Sequence, residues 1–78
     1  MGEGYVGIEG EATVHVRFAP NGAVSEIGAR PPGMTPQEWF NTLSRSCADC
    51  YRALPGGRGL FKIESRKLIE LQTHSKAD

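Results

Sequence analysis

The two cysteines of this chain, Cys47 and Cys50, lie in the segment "SRSCADCYRALPGGRG" at residues 44–59, in a Cys-x-x-Cys spacing. Two thiols at this spacing perform disulfide redox chemistry when a helix N-terminus or a nearby cation lowers a thiol pKa. They bind zinc when two further ligands are available. A glycine-rich loop with Arg58 follows at once, and backbone N–H groups in such loops can hold an anion. The segment therefore raises three possibilities: thiol redox chemistry, a metal site and an anion contact.

The element that positions the cysteines is a predicted helix that begins at the cap Thr35 and runs to about Leu54. Its apolar residues recur at spacings of three and four, which is typical of a core-facing stripe; they are Phe40, Leu43, Cys47, Cys50 and Leu54. Both thiols then lie in the second half of the helix, where the macrodipole opposes a thiolate. This placement favours structural, free thiols. A thiol-dependent redox or metal-linked role for Cys47 and Cys50 is the alternative.

The remaining chemistry-bearing residues do not complete a site in the sequence. The chain has two histidines, His15 on the polar side of a predicted strand and His74 near the C-terminus, so four zinc ligands are not brought together. The "PGGRG" loop lacks the lysine of a phosphate-binding P-loop and is interpreted as the helix C-cap, with Arg58 as a tentative anion contact. We therefore predict no enzyme activity, no metal and no cofactor.

The N-terminal half predicts two strands. Residues 5–18 alternate between apolar and polar side chains, and a hairpin turn at residues 9 and 10 would pair apolar with polar positions. One long strand, flexed at Gly7 or Gly10, is therefore expected. The "APNG" turn at 19–22 leads into a second strand over 23–30, whose poorer alternation indicates either a bulge near Glu26 or a strand partly covered on both faces.

Residues 60–65 and 68–74 predict two further strands joined by Arg66 and Lys67, with a helix from residue 61 onward as the alternative. The fold class is thus α+β: a β-β-α-β-β domain over 1–78, with a frayed tail at 75–78 and a mainly antiparallel sheet packed on one long helix. The predicted core comprises Val6, Ile8, Val14, Val16, Phe18, Phe40, Leu43, Cys47, Cys50, Leu54, Phe61, Ile63, Ile69 and Leu71.

Two stretches of this pattern, "VHVRFAPNGAVSEI" and "LPGGRGLFKI", resemble the carboxyl-terminal domain of TonB-like energy-transducing proteins. The resemblance covers about half of the chain and consists mostly of hairpin residues. The membrane anchor and the proline-rich spacer of that family are not seen in this sequence, so its function is not carried over.

The charges sum to zero, with nine Lys and Arg against nine Asp and Glu, which argues against general nucleic-acid binding. They are unevenly placed, because residues 1–44 hold two basic and five acidic side chains (2 − 5 = −3) and residues 45–67 hold six and two (6 − 2 = +4). The sequence shows no signal-peptide pattern and no apolar stretch long enough to span a membrane, so a cytoplasmic location is expected.

A chain of 78 residues builds a small core, and self-association is one way to stabilise such a domain. We therefore predict a non-enzymatic interaction module that forms a homodimer, with Tyr5, Ile27 and Trp39 as candidate interface residues. For Trp39, a position at the rim of the core is the alternative. The acidic first half and the basic second half are expected to meet across that interface. A monomer with a solvated outer sheet face is the competing interpretation, and any other protein partner stays unidentified.

Overall fold

The computed structural model describes residues 10–75, and the side chains as far as residue 73. Four strands form one sheet in the order β2-β1-β4-β3, and every neighbouring pair is antiparallel. This arrangement confirms the α+β class with a mainly antiparallel sheet. The elements in chain order are β1 (Glu11–Phe18), β2 (Val24–Ile27), α1 (Pro36–Ser46), a 3-10 helix (Ala48–Cys50), β3 (Tyr51–Leu54), β4 (Arg58–Glu64) and α2 (Ser65–Ser75).

The alternation predicted for the first strand is present in β1. Val14 and Val16 are buried, whereas Thr13, His15 and Arg17 are exposed. A strand with this pattern separates a core face from a solvent face of its sheet. Residues 5–9 of the predicted strand lie outside the described residues.

The connection from β1 to β2 forms as its residues predict. Gly22 has a φ of +92°, and the side-chain oxygen of Asn21 accepts a hydrogen bond of 2.9 Å from the backbone N–H of Ala23. Arg17 pairs with Glu26 while Phe18 pairs with Val24, so one residue of β2 is left over. This confirms the bulge predicted near Glu26, although β2 ends at Ile27 rather than at residue 30.

Helix α1 begins where the sequence predicts. The Thr35 hydroxyl accepts a hydrogen bond of 3.1 Å from the backbone N–H of Glu38, and the Glu38 carboxylate accepts one of 2.9 Å from the backbone N–H of Thr35. This reciprocal capping box satisfies two backbone donors that a helix start otherwise leaves without partners.

The predicted end of this helix at Leu54 is wrong, because α1 ends at Ser46. Tyr51–Leu54 is instead strand β3, which pairs with β4. This segment also fits a period of two: Tyr51 packs against the core, while Arg52 is exposed. The loop "PGG" is therefore the hairpin between β3 and β4 rather than a helix cap, and Gly56 and Gly57 have φ values of +79° and +71° there.

The strand predicted over residues 68–74 is also wrong, because Ser65–Ser75 is helix α2. The segment contains residues with high helix propensity, including leucine, lysine and glutamate. Leu68 and Leu71, three positions apart, pack against the core, whereas Ile69 is 42% exposed. The strand predicted over 60–65 is β4, which begins earlier, at Arg58.

Both helices pack on the same face of the sheet and share one core. The core includes Val24, Trp39 and Leu68, which are not among the predicted core residues. It does not include Leu54 and Ile69, which the sequence predicts to lie there. Neither helix in the described part of the chain has the length and apolar character needed to cross a membrane. The buried core residues are Val14, Val16, Val24, Trp39, Leu43, Phe61, Ile63 and Leu68.

Candidate functional site

Cys47 and Cys50 form a disulfide, with a Cα–Cα distance of 5.4 Å. This corrects the expectation of free thiols. Cys47 caps the C-terminus of α1, where its backbone N–H donates to the Leu43 carbonyl oxygen, and Cys50 ends the 3-10 helix directly before β3. Both side chains are half-buried against the core. The disulfide thus joins the end of α1 to the start of an edge strand.

Cys47 lies between two helical segments, since it is the C-cap of α1 and the N-cap of the 3-10 helix. Low thiol pKa values arise at helix N-termini or beside cations. Cys47 lies at the opposite end of α1, where the helix dipole disfavours a thiolate. Within the part of the chain that the structure describes, no group of three or more His, Cys, Asp or Glu side chains is placed to bind a metal.

The surface opposite the helices, here named the open face, brings together most of the charged side chains of the sheet. Directly paired residues of neighbouring strands share a face, so the register given for β1 and β4 determines which side chains meet there. The members of the open face are Glu11, Thr13, His15, Arg17, Glu26, Arg52, Leu54, Arg58, Leu60, Lys62 and Glu64.

The charges of the open face are separated along the strands. Arg17 of β1 pairs with Arg58 of β4 at one end, and Glu11 pairs with Glu64 at the other. The two pairs are six residues apart on β1, which is roughly 20 Å at about 3.4 Å per residue. Like charges directly opposite each other destabilise a sheet. In the given register Glu11 and Glu64 have no oppositely charged direct cross-strand neighbour, whereas Arg17 also pairs with Glu26 of β2, so the basic pair is partly compensated within one chain.

The centre of the open face mixes one leucine with two cations. Leu60 pairs with His15 of β1 and with Arg52 of β3, and Lys62 pairs with Thr13. Leu54 pairs with Arg58 and so lies at the basic end. Both leucines are half-buried and offer aliphatic contact beside the cations.

The tentative site residues from the sequence are distributed differently. Ile27 pairs with Val16 and packs against the core, so it is not on the outer face as expected. Trp39 is 0% exposed, and its indole N–H donates a hydrogen bond of 3.0 Å to the Gly28 carbonyl oxygen, which corrects its prediction as an interface anchor. Tyr5 lies outside the described residues. Arg58 lies on the open face, where it pairs with Arg17, a neighbour that no local sequence pattern indicates.

Comparison of the chain with protein-family models, with curated proteins and with solved structures finds no significant match.

Proposed function

We propose that this chain is a small non-enzymatic interaction module that self-associates through its open face. The observation that carries the proposal is the pair of like-charged residues at each end of that face. A second copy can neutralise both pairs at once, since the basic pair of each copy has the same spacing as the acidic pair of the other.

A two-fold axis that runs across the strands, between the rows of Thr13 and His15, produces this match. It places Arg17 opposite the partner's Glu11 and Arg58 opposite the partner's Glu64, and each contact occurs twice. Such an interface uses the same patch on both copies. Packed sheets lie about 10 Å apart, a distance that the long arginine and glutamate side chains span together.

The size of the open face predicts a weak dimer. Four strands at about 4.8 Å spacing and a length of roughly 20 Å give about 400 Å² per copy, or about 800 Å² in total. Stable interfaces bury about 1,200 to 2,000 Å². Affinity should therefore depend strongly on the charges, and hence on salt, because exposed charges are screened beyond about 10 Å at 0.1 M ionic strength.

Sedimentation equilibrium at low and high salt tests the proposal. At low salt the average mass should rise above the 8.5 kDa of one chain as the concentration increases from micromolar to millimolar. The rise should shrink at high salt. A mass of one chain over the whole concentration range at low salt would rule out self-association.

The alternative, a thiol-dependent function, draws on the disulfide between Cys47 and Cys50. A redox protein of this kind exchanges its disulfide rapidly with a small thiol, whereas a structural disulfide exchanges only when the domain opens. Exchange with glutathione, followed by mass spectrometry under native conditions and in denaturant, distinguishes the two roles. Fast exchange in the folded protein favours the redox alternative.

Two further parts of the proposal concern location and partners. The cytoplasmic location stays a prediction. A cytosolic pair is kept reduced, so this location conflicts with the Cys47–Cys50 disulfide, and alkylation of the two thiols in intact cells decides between them. We also propose no nucleic-acid partner. In the described strands the aromatic side chains of Phe18, Tyr51 and Phe61 pack against the core, whereas single-stranded nucleic acids are bound by stacking on exposed aromatic rings.

A further inference from the structure

A groove of about 590 Å³ lies at the basic end of the sheet. Its lining includes three arginines from different segments: Arg17 of β1, Arg30 of the loop after β2, and Arg58 of β4. Glu26 lies beside Arg17, and Leu54 and Pro36 contribute apolar surface. The volume is in the range of small-molecule sites, which span about 300 to 1,000 Å³.

We propose that this groove binds a small organic molecule that carries a phosphate group. The three arginines and the one glutamate of the lining sum to a charge of +3 − 1 = +2. A phosphate monoester carries a charge of about −1.5 to −2 at neutral pH. Guanidinium groups bind phosphate through paired N–H donors, and the apolar wall is suited to the organic part of the ligand.

Two of the arginines are held in place by the backbone. Nη1 of Arg30 donates a hydrogen bond of 2.6 Å to the Met34 carbonyl oxygen, and Nε of Arg58 donates one of 3.4 Å to the Pro55 carbonyl oxygen. A guanidinium has five N–H donors, so each retains several for a ligand. Side chains that are already ordered lose less entropy when they bind.

The loop that carries Arg30 is fixed by both helices. The indole N–H of Trp39 in α1 donates to the Gly28 carbonyl oxygen, and the side-chain amide of Gln72 in α2 donates to the Ala29 carbonyl oxygen at 2.9 Å. Ala29 has a φ of +57°, a left-handed conformation that is uncommon for a residue other than glycine. Strained residues of this kind persist where the surrounding structure holds them, often beside binding sites.

This inference does not rest on the proposed dimer, because Arg30 takes no part in the contacts between copies. The two proposals are nevertheless linked. A ligand on Arg17 and Arg58 occupies the residues that face the partner's carboxylates. Saturating ligand should therefore shift a dimer toward the monomer.

Titration with phenyl phosphate, followed by two-dimensional NMR of the backbone amides, tests the groove. We expect saturable shifts at residues around Arg17, Arg30 and Arg58. Inorganic phosphate should bind more weakly, and phthalate tests whether two carboxylates serve equally well. Equal affinity for phthalate and phenyl phosphate would overturn the choice of phosphate.

Three variants, each losing one positive charge, test the assignment of residues. Arg30→Gln and Arg58→Gln should each weaken binding of phenyl phosphate at least tenfold, whereas Arg52→Gln, on the open face but outside the groove lining, should weaken it less than twofold. A similar loss of affinity in all three variants would indicate general charge attraction and would contradict binding in the groove. So would shifts that do not saturate in the wild-type protein. Arg30→Gln should leave the sedimentation behaviour unchanged. Loss of phosphate binding and loss of self-association are therefore measured separately.

Discussion

Gly59 lies in β4 directly beneath the side chain of Tyr51, and this contact makes a specific prediction about stability. A Cβ atom added at Gly59 would lie 2.7 Å from Cε1 and from Cζ of the Tyr51 ring, closer than Cβ atoms approach other atoms. The ring cannot move freely, because it packs on Phe61 and Phe40 with centroid distances of 5.1 and 5.8 Å. Gly59→Ala should therefore displace Tyr51 from the aromatic cluster.

The expected cost follows from the contacts that are lost. Each aromatic pair contributes about 0.5 to 1.5 kcal/mol. Alanine in place of glycine lowers the conformational entropy of the unfolded chain, which stabilises the folded protein by about 0.4 to 1 kcal/mol and offsets part of this loss. Gly59→Ala should thus lower the free energy of unfolding by roughly 1 to 2 kcal/mol. For a domain of this size, that corresponds to a melting temperature lower by roughly 5 to 15 °C.

Urea and thermal unfolding followed by circular dichroism measure this difference. Gly28→Ala is the matched control, since its added Cβ would meet nothing nearer than the His15 backbone N at 3.8 Å, and it should change stability by less than about 0.5 kcal/mol. The cost of Gly59→Ala should largely disappear in a Tyr51→Ala background. Wild-type stability of Gly59→Ala, or an undiminished cost without the Tyr51 ring, would refute the reasoning.

Three further substitutions test the core and the disulfide. Trp39→Phe removes the part-buried hydrogen bond to the Gly28 carbonyl oxygen, so unfolding should become easier by about 0.5 to 1.5 kcal/mol in a urea titration. Replacing both Cys47 and Cys50 by serine should cost about 2 kcal/mol from loop entropy, and the reduced wild-type protein should show a similar loss. Val16→Asp places a charge without a partner in the core and should abolish cooperative unfolding, whereas native-like thermal unfolding would contradict the strand orientation.

The local features of the fold could be predicted from the sequence. The capping box at Thr35 and Glu38 and the turn at residues 19–22 depend on neighbouring residues, and both are present. The alternation in β1 likewise separates Val14 and Val16 from their polar neighbours. Such features depend on side chains a few positions apart.

The errors arise where distant parts of the chain decide the structure. The segment Tyr51–Leu54 fits a helical stripe and a strand equally well, and its pairing with β4 determines the outcome. Trp39 lies one position off the predicted stripe, and its burial follows from the loop at Gly28, eleven residues away. The meeting of Arg17 with Arg58 needs the register between β1 and β4, which the sequence does not contain as a local pattern.

The central claim, self-association through the charged ends of the open face, is tested most directly with two charge-reversed proteins. One carries Arg17→Glu and Arg58→Glu, and the other carries Glu11→Arg and Glu64→Arg. Each should fail to self-associate, because every contact between identical copies becomes repulsive. Reversal of four contacts at about 1 kcal/mol each should weaken the free energy of dimerisation by about 4 kcal/mol. This raises the Kd of the dimer roughly a thousandfold.

The decisive measurement is sedimentation equilibrium of the two charge-reversed proteins, alone and mixed in equal amounts. Arg45→Glu with Arg66→Glu, on the exposed helix surfaces, is the control with the same change in net charge as the first variant, and it should associate like the wild type. Circular dichroism confirms that all variants are folded. We expect monomers for each protein alone and a heterodimer in the mixture. A wild-type dimer that persists in either variant alone, or a mixture that stays monomeric, would contradict it.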